Sequence, residues 1–158
     1  MLKMPTDQDT FWMEKALTQA QNAFEKNEVP IGAVIVQNNM VLSEAYNLRE
    51  TTQDPLGHAE MRAIQMASKQ LNTWRLIDST LYVTVEPCLM CAGAILQSRI
   101  SRIVYGCKDK KAGAVDSLYH TLSDDRLNHR VNITSGVLEH ACRHLMQTFF
   151  EKLRTEPV

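Results

Sequence analysis

The chain has 158 residues, of which 44% are hydrophobic and 22% are charged, and its formal net charge is −1. This composition excludes a disordered chain and supplies enough apolar material for one core, so we expect a single domain over residues 1–158. It also excludes a globally basic nucleic-acid binder, although a local basic face is still allowed.

The first predicted elements are a helix and a hairpin. Apolar residues at helical spacing predict an amphipathic helix over about 10–26. A run rich in β-formers follows at 31–36, where Asn38 and Asn39 then supply a turn. Residues 40–46 return from this turn as the antiparallel partner of the first strand.

The remaining elements alternate between helix and strand. Beginning with a helix, their predicted ranges are 58–71, 81–85, 88–97, 102–106, about 116–122, 131–134 and 137–153. Strands that alternate with helices are typical of α/β layered proteins, in which strands separated by a helix run parallel. The sequence therefore predicts an α/β fold with a mixed sheet.

The role of the four cysteines depends on the cellular compartment, because a reducing compartment disfavours disulfides. No apolar run approaches the ~20 residues of a membrane span, and the N-terminal segment has no signal-peptide pattern. We therefore expect a cytoplasmic protein without a membrane segment. In a reducing compartment cysteines are typically metal ligands, catalytic thiols or small core residues rather than disulfides.

Two short motifs each open a predicted helix. Cys88 and Cys91 are three residues apart, so both sulfurs lie on one helix face. A helix N-terminus favours the thiolate, which is the form that binds zinc. His58 begins the other helix and supplies a third ligand. One nitrogen and two sulfurs suit zinc, and three protein ligands leave a position open for water, which is typical of catalytic sites.

Glu60 lies two residues after His58, close enough to reach a metal-bound water and move its proton. A purely structural zinc site has no use for such an acid. Cys107 and Cys142 have no partner at ligand spacing, so we interpret them as small buried residues.

The segments HAE and PCLMCAGAI resemble the cytidine/deoxycytidylate deaminase superfamily. Longer segments, including EVPIGAVIV, DPLGHAE, RLIDSTLYVTVEPCLMCAGAI and LNHRVNITSGVL, resemble the family of bacterial tRNA-specific adenosine deaminases. The resemblance implies a three-layer α/β/α sandwich of the cytidine deaminase type, with a sheet of about five strands. The sequence departs from the family pattern at Leu48 and Arg49, at Leu56 and Gly57, and in a less basic C-terminal end.

The resemblance also implies the activity. It implies conversion of the wobble adenosine of a tRNA anticodon, of the tRNA-arginine type, to inosine by a homodimer with one Zn²⁺ per subunit and no organic cofactor. His58, Cys88 and Cys91 match the zinc ligands, and Glu60 matches the proton shuttle. Asn47 matches a residue that contacts the base and the nearby ribose.

The surface that contacts RNA is less sharply defined. Asp109 can accept a hydrogen bond from a ribose 2′-OH. Phe149 and Phe150 can stack on bases, but adjacent helical positions cannot both face the same way, so at least one is expected in the core. Basic residues form three groups: Lys108, Lys110 and Lys111; Arg126, His129 and Arg130; and Arg143, Lys152 and Arg154.

Three other functions are compatible with parts of the pattern. A deaminase of a free base or nucleoside, such as guanine, cytosine or cytidine, would share all four catalytic residues. A non-enzymatic zinc-stabilised interaction domain would have a closed four-ligand site and no role for Glu60. A thiol-redox protein would leave His58 and Glu60 unexplained.

Overall fold

The computed structural model describes residues 2–156; residue 1 and residues 157–158 of the expected domain lie outside the described residues. Within it the elements follow one another as α1 (Asp7–Glu25), β1 (Gly32–Gln37), β2 (Met40–Tyr46), α2 (Arg49–Thr52), α3 (Ala59–Leu71), β3 (Ser79–Val85), α4 (Leu89–Gln97), β4 (Arg102–Cys107), a 3-10 turn (Thr121–Ser123), β5 (Asn132–Ser135) and α5 (Glu139–Thr155).

The five strands form one mixed sheet in the order β2-β1-β3-β4-β5. β1 is antiparallel to both of its neighbours, whereas β3, β4 and β5 are mutually parallel. The predicted antiparallel hairpin and the parallel strands across helices are therefore confirmed. Because β1 alone is reversed, the carboxyl ends of the other four strands meet at one edge of the sheet.

Alternating side chains divide the core into two halves. In β3, Leu81 and Val83 pack with α3 and α4 on one face, while Tyr82 packs with α1 and α5 on the other. β1 alternates in the same way, whereas Val85 and Cys107, at the carboxyl ends of β3 and β4, both join the α1 and α5 side. This arrangement confirms the three-layer α/β/α sandwich with a five-stranded mixed sheet. None of the helices among residues 2–156 combines the length and the apolar character needed to cross a membrane.

The prediction of a helix near 116–122 is wrong. The chain turns through this segment, and only Thr121–Ser123 forms a 3-10 turn. The backbone N–H groups of Asp116 and Ser117 donate to the carboxylate of Glu86 at 2.8 and 2.9 Å. Glu86, thirty residues earlier in the chain, thus binds N–H groups that would otherwise be available to a helix. Local helix propensity does not reveal such a distant partner. The short helix α2 was also not predicted.

A buried ion pair joins α1 to the sheet. The Asp9 carboxylate, only 1% exposed, accepts two hydrogen bonds from the Arg102 guanidinium at 2.8 Å and one from the Tyr82 hydroxyl at 2.9 Å. Asp9 also forms a capping box with Thr6 at the start of α1. Arg102 in turn donates to Thr134 of β5. One carboxylate therefore connects α1 with three neighbouring strands.

We expect Asp9→Asn to lower the free energy of unfolding by about 3 kcal/mol, because it leaves the largely buried Arg102 side chain, 16% exposed, without its counter-charge. Asp7→Asn, at an exposed position in the same first turn, is the control and should change stability little. Urea denaturation of both variants measures the difference. Equal stability of the two variants would contradict the role of this ion pair.

The same pair makes stability depend on pH. Burial alone raises the pKa of Asp9, but hydrogen bonds from Arg102, the Thr6 backbone and Tyr82 outweigh it and hold the pKa below its ordinary value of 3.8. A lowered folded-state pKa stabilises the protein above the unfolded pKa, and the contribution is lost as pH falls through the folded value. The stability difference between wild type and Asp9→Asn should therefore shrink below about pH 4.

Candidate active site

The site lies where α3 and α4 begin, at the sheet edge to which β2 and β3 both lead. His58 is the N-cap residue of α3 and Cys88 is the N-cap residue of α4, each with extended backbone. Neither side chain caps its own helix. Both are therefore free to face the space between the two helix N-termini, and Cys91 joins them from the first turn of α4.

The spacing of these three side chains fits a metal ion. His58 Nδ1 lies 3.6 Å from Cys88 Sγ and 3.5 Å from Cys91 Sγ. The three ligand atoms lie within 4.8 Å of one another. Ordinary zinc–nitrogen and zinc–sulfur bonds at a tetrahedral centre would separate N from S by about 3.6 Å. The donor set therefore fits a tetrahedral metal without rearrangement.

The two thiols have opposite proton affinities. A hydrogen bond from Cys91, helped by His58 and opposed by burial, lowers the pKa of Cys88 to about 4. The same hydrogen bond, together with burial, raises the pKa of the Cys91 thiol. The environment therefore favours the thiolate at Cys88, and a metal ion bound by both sulfurs would displace the proton of Cys91.

Glu60 enters the site from the second residue of α3. Its side chain is only 3% exposed, and its Oε1 atom has no hydrogen-bond partner among the described residues. Burial raises the pKa of Glu60 to about 7. A buried carboxylate oxygen without a partner is costly, so its retention points to a group supplied by a ligand.

A cavity of about 180 Å³ opens in front of these groups. The structure brings almost all the predicted site residues to its wall. Asn47, His58, Glu60, Cys88 and Asp109 line it, together with Val29, Ile31, Arg49, Ala59, Glu86 and Ala112. Cys91 is fully buried beside it.

Asn47 is held in a fixed orientation. Its Nδ2 donates to the Val29 carbonyl at 3.2 Å, and its Oδ1 accepts from the Arg49 N–H at 3.1 Å. Each of these bonds uses only part of the amide, which has a second N–H and a second lone pair. Asn47 can therefore both donate to and accept from a bound molecule.

Glu28 is a structural residue behind the cavity wall that the sequence did not reveal. Its buried carboxylate accepts from the backbone N–H groups of Glu50 and Thr51 at 3.1 and 2.6 Å, at the first turn of α2. It thereby holds the segment that follows Asn47. Glu86 plays a similar part opposite, accepting from the Asp109 N–H at 3.1 Å. For Glu86 the available signal was a glutamate directly after an apolar strand; Glu28, four residues before β1, had no such signal.

Asp109 is partly committed to its own loop. Its Oδ1 accepts from the backbone N–H groups of Lys111 and Ala112 at 3.0 and 3.1 Å, which makes a tight turn. The structure places Asp109 at the cavity wall, with a second carboxylate oxygen outside this turn, and its contact to a ribose stays a prediction.

A basic groove of about 850 Å³ adjoins the cavity and shares Val29, Ile31 and Asp109 with it. One predicted basic group, Lys108, Lys110 and Lys111, lies there complete, and a second is there in part. Arg143 and Arg154 line the groove from α5 together with Phe150 and Glu151, and Arg143 is paired with Glu139 at 2.6 Å. Lys152, the remaining member, does not line the groove, and its Nζ lies 3.5 Å from Asn27 Oδ1. Phe149, by contrast, is buried against Phe24, which confirms that only one of the two phenylalanines is free.

The structure does not bring the third basic group into this groove. Arg126 pairs with Asp124 at 2.7 Å, Arg130 pairs with Asp125, and His129 Nε2 contacts the Ile100 carbonyl. Their charges are therefore partly balanced locally. Cys107 and Cys142 are buried as expected and lie outside the His58, Cys88 and Cys91 group.

Comparison with known proteins places this site in a class of enzyme. The family model of the MafB19-like deaminases matches residues 7–154. A guanine deaminase from Nitrosomonas europaea superposes with a TM-score of 0.76 at 18% identity, covering 87% of this chain and 81% of that one, which shows a shared fold. The fold and the site thus define a deaminase.

Closer relatives narrow the class. The tRNA-specific adenosine deaminase of Bacillus subtilis is 48% identical over 147 residues, covering 93% of this chain and 91% of that protein. A solved structure from a study of A-to-I editing by tRNA:A34 deaminases has a TM-score of 0.83 and 41% identity, covering 86% of this chain and 99% of that one. The chain belongs to the family of the tRNA-specific adenosine deaminases.

We expect the purified protein to contain about one equivalent of a transition-metal ion per chain, because three preplaced ligands bind such ions tightly. Cys91→Ser should lose most of this metal, whereas Cys107→Ser, which alters a buried cysteine outside the group, should retain it. Elemental analysis by mass spectrometry gives the stoichiometry. Full metal content in Cys91→Ser would exclude the site as drawn.

Proposed function

We propose that the protein hydrolyses the wobble adenosine of a tRNA anticodon, of the tRNA-arginine type, to inosine and ammonia. The observation that carries the proposal is that the small cavity and the large basic groove share part of their walls. In the cavity, Oε1 of Glu60 has no hydrogen-bond partner among the described residues. A free base fills only the cavity, whereas a nucleotide within an RNA loop also presents phosphates to the groove. The full-length similarity to tRNA-specific adenosine deaminases supports the same substrate.

The metal of the proposed reaction is zinc, one ion per chain, held by His58 Nδ1 and the Sγ atoms of Cys88 and Cys91. Support comes from the N···S distances of 3.5 and 3.6 Å and from the mixed nitrogen and sulfur ligands. When bound, zinc lowers the pKa of a coordinated water from 15.7 to roughly 7, which supplies a nucleophile at neutral pH.

Glu60 moves the protons. Its Oε1 takes one proton from the attacking water and delivers it to N1 of the adenine ring, while the water oxygen bonds to C6. The carboxylate then passes the second proton to the amino group, so the C6–N bond breaks and ammonia leaves. Adenosine plus water thereby gives inosine plus ammonia. Because Glu60 is buried, its proton is not exchanged with bulk water during these transfers.

Asn47 and Asp109 are the proposed contacts to the rest of the nucleoside. Asn47 is preoriented by its bonds to Val29 and Arg49, so binding the base costs little side-chain entropy. Asp109 lies on the boundary between the cavity and the groove. Its carboxylate is suited to a ribose 2′-OH, which distinguishes RNA from DNA.

The groove is the proposed seat of the anticodon loop. Lysines on one side and arginines on the other can neutralise successive phosphates, and the exposed Phe150 offers a stacking surface.

A tRNA substrate also places the reaction in the cytoplasm. We further propose that residues 1–158 act as one domain.

A homodimer is also part of the proposal. Beyond its own helix, Gly93 of α4 has no neighbour among residues 2–156 within 4 Å of the position that a Cβ would occupy, so packing between these residues does not require glycine there. Trp74 and Leu89 are each 53% exposed. A depression of about 510 Å³ lies between Trp74, Ile64 and Ala94. Small residues beside exposed apolar ones suit close packing against a second copy.

The substrate is tested with a synthetic tRNA-arginine anticodon stem-loop beside free adenosine, cytidine and guanine. We expect inosine only in the stem-loop, detected by mass spectrometry of the digested RNA. Conversion of a free base with no conversion of the stem-loop would keep the deaminase chemistry and overturn the RNA substrate.

The proton carrier is tested with Glu60→Gln. We expect it to retain the metal and lose on the order of 10²–10⁴-fold in kcat on the stem-loop, because the amide cannot accept and return a proton. Glu44→Gln, at an exposed position on β2, is the matched control and should keep its rate. Near-native turnover by the Glu60 variant would refute the assignment.

A further inference from the structure

Glu86 is a buried carboxylate that the proposed chemistry does not use. It follows the last residue of β3 and is only 3% exposed. Five hydrogen bonds converge on it, all from one loop. The donors are the backbone N–H groups of Asp109, Val115, Asp116 and Ser117, at 3.1, 3.1, 2.8 and 2.9 Å, and the Ser117 hydroxyl.

These bonds fix the Glu86 carboxylate in place inside the loop. The loop also wraps tightly around the carboxylate. A Cβ on Gly113 would lie 2.4 Å from Glu86 Oε2, so only glycine allows this close approach.

The anchored loop connects the metal-binding motif to the basic groove. Ala114 N–H donates to the Pro87 carbonyl at 2.8 Å, and Gly113 forms a β-bridge with Cys88. The same loop begins with the exposed residues Lys110 and Lys111 on the groove wall. The N–H of Asp109 donates to the buried Glu86 carboxylate. This bond therefore helps to fix the backbone from which Lys110 and Lys111 project into the groove.

We propose that Glu86 is a positioning residue for RNA binding: it holds the segment 109–117 so that Lys110 and Lys111 face the substrate phosphates beside the cavity. The inference rests on the proposed tRNA substrate. It assigns Glu86 no contact with the reacting atoms, so loss of its bonds should weaken RNA binding more than it slows the chemical step.

Glu28 provides a matched control on the other side of the cavity. Its carboxylate is equally buried and also accepts from backbone N–H groups, those of Glu50 and Thr51. The segment it holds supplies Asn47 and Arg49 to the cavity but none of the groove lysines. A general loss of rigidity would affect both variants alike, whereas the proposed role separates them.

The experiment compares Glu86→Gln, Glu28→Gln and a Lys110→Ala/Lys111→Ala double variant, each as metal-loaded full-length protein. Binding of a fluorescent anticodon stem-loop is measured between 50 and 300 mM KCl, and kcat is measured at saturating stem-loop. Each lost phosphate contact should reduce the slope of log K against log[salt] by ~0.7. Ser117→Ala, which removes one of the five bonds, serves as a milder second variant.

We expect the double lysine variant to lose about 1.4 units of salt slope, since two contacts count ~0.7 each, and Glu86→Gln to lose roughly 0.7 to 1.4. In both variants kcat should fall less than about threefold, and Ser117→Ala should shift the slope the same way by a smaller amount. Glu28→Gln should keep the wild-type slope. A wild-type slope in both Glu86→Gln and Ser117→Ala, or loss of metal from Glu86→Gln, would overturn the inference. A wild-type protein that does not bind the stem-loop would instead overturn the proposed function.

Discussion

The meeting of the first turns of α3 and α4 at one sheet edge is the constraint on which the site depends. It follows from the reversal of β1 between β2 and β3, which brings the ends of two same-direction strands together while leaving a gap one strand wide. Two helix N-termini then face that gap, and each carries its metal-binding residue at the N-cap. Exposed amides at both termini favour an anion between them, which stabilises thiolate sulfur and carboxylate oxygen.

Four buried carboxylates divide into two kinds. Asp9, Glu28 and Glu86 accept hydrogen bonds at both oxygens, and each ties a peripheral segment to the sheet or to the cavity wall. Glu60 differs because one of its oxygens has no partner among the described residues. A buried carboxylate whose oxygens are all hydrogen-bonded can stabilise the fold. A buried oxygen without a partner lowers the free energy of unfolding, and no contact within the fold compensates for it.

Substrate choice in this architecture depends on what adjoins the cavity rather than on the layers beneath it. A guanine deaminase with 18% identity shares the fold, so the sandwich and its sheet order do not specify the molecule that is deaminated. The basic groove is lined mainly by the segment after β4 and by α5, both outside the motifs that carry the candidate metal ligands. The candidate metal site and the groove therefore belong to different parts of the chain, which meet at Asp109.

The sequence by itself determined those features that depend on the spacing of nearby residues. The ligand motifs, the strand alternation and the amphipathic helices depend on neighbours within a few residues, and the structure has each of them. Partners far along the chain decided the rest. Glu86 replaced an expected helix with an anchored loop, Asp124 and Asp125 balanced Arg126 and Arg130, and Glu28 held α2. These outcomes required tertiary structure because a buried charge takes its donors from whatever folding brings near, and sequence separation does not encode that proximity.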